Sequence, residues 1–189
     1  LSTKSNSLDP DIPVGVPGKN TTANALLRFW ATGESVTYET EYAVFDKLYH
    51  DLLNADRIQS LVIHENRFTY EQDGLHLICD LGEYWEKKTE APIPLGGIVI
   101  RRDLGTDVAR QVDGLILRSV EFAWDNPGKS ESFIREHAQE TKESVVKSHI
   151  GLYVNDFSAH MGDKGKVAIE RLQQLIAPEF DDEKSLFAY

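Results

Sequence analysis

An α/β fold followed by a helical C-terminal half is predicted by three features of this 189-residue sequence. Leu61-Val62-Ile63 is a short apolar run without alternation, as in strands covered on both faces. Residues 12–31, IPVGVPGKNTTANALLRFWA, follow a strand-turn-helix pattern. After Arg102 the apolar residues recur at helical spacing alone.

In chain order, residues 1–11 are polar and read as a linker feeding a strand at 12–18. Asn20, Thr21 and Thr22 are candidate caps for a helix that carries Ala23, Leu26, Leu27 and Trp30 on one side. Tyr42, Phe45, Leu48, Leu52 and Leu53 predict an amphipathic helix over 41–56, and the LVIH strand follows it. LHLICDLG (75–82) and PLGGIVIRR (94–102) read as further strands, joined by the short aromatic segment GEYWEKKT. These segments make an α/β lobe over 12–102. Residues 103–189 form a helical return. Its first helix carries a stripe of Val108, Val112, Leu115, Ile116 and Val120 and ends at Pro127-Gly128, with further helices near 129–138, 142–160 and 163–177. Four strands already covered by their own helices leave those stripes without an opposing layer. Exposed apolar patches beyond a few hundred Å² drive association, so self-association into a homo-oligomer is an expectation.

Composition narrows the function classes. Thirty-one acidic against twenty basic residues give a formal charge of −11, which opposes binding to phosphate backbones and to anionic bilayers. Neither nucleic acid nor membrane is an expected partner. No apolar run approaches the roughly 20 residues that span a bilayer, and LSTKSNSLDPD lacks the apolar core of a signal peptide. The single cysteine, Cys79, sits in the apolar run LHLICDL and reads as a buried filler, which suits a reducing cytoplasm.

The stretch LVIHENRFTY (61–70) sends a buried strand into a polar cluster. In open α/β sheets ligands sit beyond the carboxyl ends of the strands, which makes His64 a candidate general base. Glu65 could orient or tune its ring, and Arg67 could hold a substrate carboxylate in a bidentate fork. The alternatives are a hydrogen-bonded structural histidine and a Glu65–Arg67 surface pair of little energetic worth. No metal site is expected, because HENRF carries Phe68 where a zincin motif needs its second histidine, and the other five histidines lie in unrelated segments. VPGKNTTAN is the second candidate. A glycine turn leading into a hydroxyl-rich helix start offers free amides and a positive dipole end to an anion, although ordinary capping explains the same residues. It is neither a Walker A loop nor GxGxxG. APIPLGGIVIRRDLG, the third, reads equally as hinge or ligand contact.

VPGKNTTANALL, LVIHENRFTY and DLGEYWEKKTEAPIPLGGIVIRRDLG together resemble the 1,4-dihydroxy-6-naphthoate synthase family of the futalosine route to menaquinone. EHAQE (136–140) and SHIGLYVNDFS (148–158) resemble its C-terminal helices. The resemblance implies a two-lobed fold similar to type II periplasmic binding proteins, and a cytoplasmic lyase that converts cyclic dehypoxanthine futalosine to 1,4-dihydroxy-6-naphthoate without a cofactor. It implies that His64, in VIHENRF, is the proton acceptor, and that Thr22 and Ala23, beside Thr21, contact a small carboxylate substrate. The family's glycine- and proline-containing opening loop and its Lys-Leu-Ser segment do not occur here. The expectation is therefore a chain lacking most of the first lobe's N-terminal part. Two other functions fit the same architecture: a receptor that binds small carboxylates without chemistry, and a relative of chorismate dehydratase.

Overall fold

The computed structural model describes residues 1–63, 69–138, 143–178 and 186–187. It is α/β, with short strands and mostly helical secondary structure. It divides into two units, Leu1–Ile93 and Pro94–Tyr189.

In the first unit, β1 (Val14–Val16) pairs in parallel with β2 (Thr40–Tyr42), in the register Val14↔Thr40, Gly15↔Glu41 and Val16↔Tyr42. Single bridges carry the hydrogen bonding further: Gly15 to Ser60 in parallel, and Ser2 to both Gln59 and His76 antiparallel. The order across these segments is β2, β1, 59–60, 2 and 76. Residues 1–3 are therefore ladder residues, with Ser60 N donating to Leu1 O at 3.0 Å and Thr3 N to Ile58 O at 2.8 Å. Buried Gln59 holds the following stretch as well. Its side-chain amide donates to the carbonyls of Asp9 and Ile12 and accepts from Asp9 N.

The two sides of β1 meet different helices. Val14 and Val16 are buried with Leu27 of α1 (Thr22–Gly33), and Trp30, Tyr38, Leu61 and Leu81 pack around them. Gly15 faces the other way. A Cβ there would stand 2.7 Å from Leu48 Cδ2 on α2 (Phe45–Leu53), so only glycine lets that helix approach the sheet. Beside it, Leu1, Tyr49, Leu52 and Leu75 form a second cluster that Val62, Tyr70 and Leu77 cover. The third helix of the unit, α3 (Leu81–Thr89), packs on α1 through Phe29, which meets the Tyr84 and Trp85 rings edge-on at 5.8 and 5.5 Å.

Several elements differ from the sequence reading. Tyr42 ends β2 instead of opening the second helix, because three residues are too few to show a period of two. Residues 61–63 carry no ladder of their own; the pairing lies just upstream, at Gln59 and Ser60. LHLICDLG makes one bridge, at His76. GEYWEKKT is helical. Asp80 caps it by accepting from Gly82 N at 2.8 Å and Glu83 N at 3.1 Å, and its one buried residue, Trp85, leaves no stripe to read. PLGGIVIRR forms no strand, and Ile98 and Val99 are 76% and 92% exposed, so an apolar run without a pairing partner stayed irregular.

In the second unit a 3₁₀ turn, Arg102–Leu104, and Gly105 at φ 81° lead into α4 (Thr106–Asp125). Pro127 ends that helix and opens α5 (Pro127–His137) from its first position, where a missing N–H costs nothing. The predicted helix at 142–160 is two, α6 (Glu143–Tyr153) and α7 (Asp156–Ala159). Asn155 separates them, its side chain accepting from Phe157 N while Ser158 Oγ accepts from Asn155 N. The last helix is α8 (Gly162–Ile176), and α4 contacts both α5 and α7. Burial in this unit falls on small residues, Ala109, Gly165 and Ala168. Of the predicted stripe, Val108, Val112 and Leu115 are exposed while Ile116 and Val120 are half-buried, and Phe133 and Phe157 are exposed as well.

Candidate functional site

The candidate site is built at the carboxyl end of β1. Pro17 and Gly18 turn the chain, and Thr21 takes extended backbone angles (φ −99°, ψ 149°) as the N-cap of α1. The Thr21 hydroxyl works twice, donating to Gly18 O at 2.9 Å and accepting from Asn24 N at 3.2 Å. Asn24 is buried and its Nδ2 donates to Lys19 O at 2.9 Å, which ties the turn to the first turn of the helix. The first backbone bond back into the cap is Ala25 N to Thr21 O. That leaves the Thr22 and Ala23 amides ahead of it with no acceptor among the described residues, at the positive end of a 12-residue helix. Both residues are half-buried, which lets a ligand oxygen reach them.

Strand direction decides what stands next to this helix start. Gly15 and Ser60 bridge in parallel, with Gly15 N donating to Gln59 O at 3.1 Å and Leu61 N to Gly15 O at 2.7 Å. The chain therefore leaves the sheet at Leu61 by the same edge from which α1 begins. His64, Glu65 and Arg67 themselves lie outside the described residues.

Sequence reasoning missed a polar group on α2. Tyr49, which the predicted stripe of the 41–56 helix leaves out, is buried. Its hydroxyl donates to Asp73 Oδ2 at 2.5 Å and meets Thr69 Oγ1 at 3.2 Å. Burial, then the bond to Asp73, raises its pKa above the ordinary tyrosine value of 10.0. Its position one turn after Phe45 and three before Leu52 was the available signal. An ion-pair group was also missed: Lys47 holds the buried Asp51 at 2.7 Å, and Arg57 pairs with Glu41 at 2.8 Å.

Other features carry less. Burial pushes the Cys79 thiol up, which disfavours the nucleophilic thiolate. Cys79 lines a void of about 40 Å³ with Val14, Leu27 and Trp30, far below the roughly 300 Å³ of a small-molecule site. Among the described residues, no three His, Cys, Asp or Glu side chains gather into a metal-sized group, and no helix is long and apolar enough to cross a membrane.

A family model described as menaquinone biosynthesis matches residues 1–178. The chain belongs to this family. It is 42% identical over 170 residues to a 1,4-dihydroxy-6-naphtoate synthase of Streptomyces coelicolor, a match covering 88% of this chain and 60% of that protein. To the protein of the same name from Thermus thermophilus it is 41% identical over 159 residues, covering 84% and 57%. The chain thus spans about three fifths of the length of these relatives. A crystal structure of an Archaeoglobus fulgidus protein superposes with a TM-score of 0.79 at 28% identity, covering 94% of this chain and 66% of that one.

Proposed function

We propose that this chain forms the His64-bearing part of a menaquinone-pathway lyase that converts cyclic dehypoxanthine futalosine to 1,4-dihydroxy-6-naphthoate. In this reading His64 is the general base, and Thr22 and Ala23 bind an oxygen-rich part of the substrate. The fold is two-lobed and similar to type II periplasmic binding proteins, with residues 12–102 in the lobe that carries the base and 103–189 returning to the other. The protein works in the cytoplasm on a small carboxylate. The names of the two relatives support the reaction.

The observation that carries the reading is the shared edge: the amides of Thr22 and Ala23, without an acceptor among the described residues, start α1 where β1 ends, and the parallel neighbour of β1 delivers the chain toward position 64 at that same end. A crevice outside the carboxyl ends of parallel strands is where α/β proteins hold ligands. Helix-start amides hold a substrate oxygen by direct hydrogen bonds and a favourable dipole. A base on the adjacent connection then takes a proton as the bond to the ribose-derived part breaks.

His64→Asn tests this in the intact protein. Naphthoate formation should fall on the order of 10²- to 10⁴-fold, the usual contribution of one general base, while substrate still binds. Turnover near that of the parent removes His64 from the chemistry.

A further inference from the structure

The apolar cluster that contains Tyr49 meets the chain on both sides of position 64. Val62, before it, and Tyr70, after it, both pack against the cluster of Leu1, Tyr49, Leu52 and Leu75. Past residue 68 the chain folds into a tight turn, with Asp73 N donating to Thr69 O at 3.2 Å and Leu75 N to Tyr70 O at 2.9 Å, and Gly74 at φ 74° completing it. The hydroxyl of Tyr49 touches that turn at two points, Thr69 Oγ1 and Asp73 Oδ2.

We propose that Tyr49 is a positioning residue for the reaction, its hydroxyl fixing through Thr69 and Asp73 the turn onto which the segment carrying His64 runs. The inference rests on the reading of His64 as the base. Two features separate this role from plain core filling. Phenylalanine would fill the apolar cluster equally well, so the hydroxyl serves the polar contacts alone. Asp73 is exposed, and a bond to an exposed carboxylate adds little to global stability. What the bond does determine is where Thr69 lies, and Thr69 stands five residues after the base. A misplacement of about 1 Å at a reacting group costs as much as 10²-fold in rate, so a contact of small energetic worth has large leverage.

The test compares Tyr49→Phe, Asp73→Ala, Asp73→Asn and His64→Asn in the intact protein, by steady-state kinetics and by amide hydrogen exchange. Tyr49→Phe and Asp73→Ala should each lower kcat roughly 10- to 100-fold with KM within twofold of the parent. Exchange at Thr69–Leu75 should quicken in both while exchange in α1 stays unchanged. Asp73→Asn keeps an oxygen that accepts from the hydroxyl and should recover most of the rate, a rescue that a purely structural role does not give. A Tyr49→Phe protein with parental kcat beside an inactive His64→Asn overturns the positioning role alone. Parental rates in both variants overturn the base assignment, and the positioning role falls with it.

Discussion

Gly15 and Leu48 approach so closely that a single methyl group cannot stand between strand β1 and helix α2. A Cβ on Gly15 would lie 2.7 Å from Leu48 Cδ2, 2.7 Å from Ser60 Oγ and 2.8 Å from Arg57 Cδ. Leu48 is fully buried and cannot swing aside. Gly15→Ala should therefore cost about 1 to 3 kcal/mol, the range for overpacking a core. Urea unfolding of the variant measures it, and an unchanged midpoint would mean that α2 rides outward freely.

The two threonines at the start of α1 should separate stability from binding. Thr21 caps the helix, so Thr21→Ala should lower stability by about 1 kcal/mol. The Thr22 hydroxyl has no partner among the described residues, and Thr22→Val keeps the shape of the side chain. Its stability should match the parent. Substrate affinity should drop by roughly 0.5 to 3 kcal/mol, according to whether the group contacted is charged. Calorimetric titration reads the second effect, and unchanged affinity removes Thr22 from the substrate contacts.

Alkaline pH should unfasten the first unit. Burial and the Asp73 carboxylate raise the Tyr49 pKa, so the folded state holds that proton more tightly than the unfolded chain does. The corresponding stability is fully present below the unfolded value near 10 and is lost as pH rises through the higher folded value. Unfolding midpoints should fall above about pH 10. In Tyr49→Phe that fall should be shallower. Burial also raises Tyr38, so part of the slope should persist in the variant.

What the sequence made legible follows from period and chemistry. The strand-turn-helix at 12–31 was readable because Val14 and Val16 lead into glycine and then into threonine caps, each a local signal. Helix α4 was readable because twenty residues allow a periodic stripe to repeat. The sheet was not. Its segments pair over one to three residues, so neither alternation nor β-propensity accumulates, and partners as distant as Ser2 and His76 leave no local trace. PLGGIVIRR misled for the opposite reason, since it has the composition of a strand without a partner. At the candidate site, the helix start at Thr21 came from cap chemistry, and the family resemblance singled out Thr22 and Ala23. Tyr49 escaped because its hydrogen-bond partners, Thr69 and Asp73, lie 20 and 24 residues away.

The position of Ser2 also sets a timetable. Its backbone exchanges bonds with His76 at 2.9 and 2.8 Å, and its neighbour Thr3 bonds Ile58. Pairings across such separations form only after a long loop has closed, and loop closure is the slow, entropically opposed step in folding. During synthesis the ribosome must deliver residue 76 before Ser2 finds its second partner. At about 5 to 20 residues per second, the emerging α1 and α2 wait several seconds with their apolar faces open. Chaperone demand during translation should peak in that interval and ease once the turn at 69–75 has emerged.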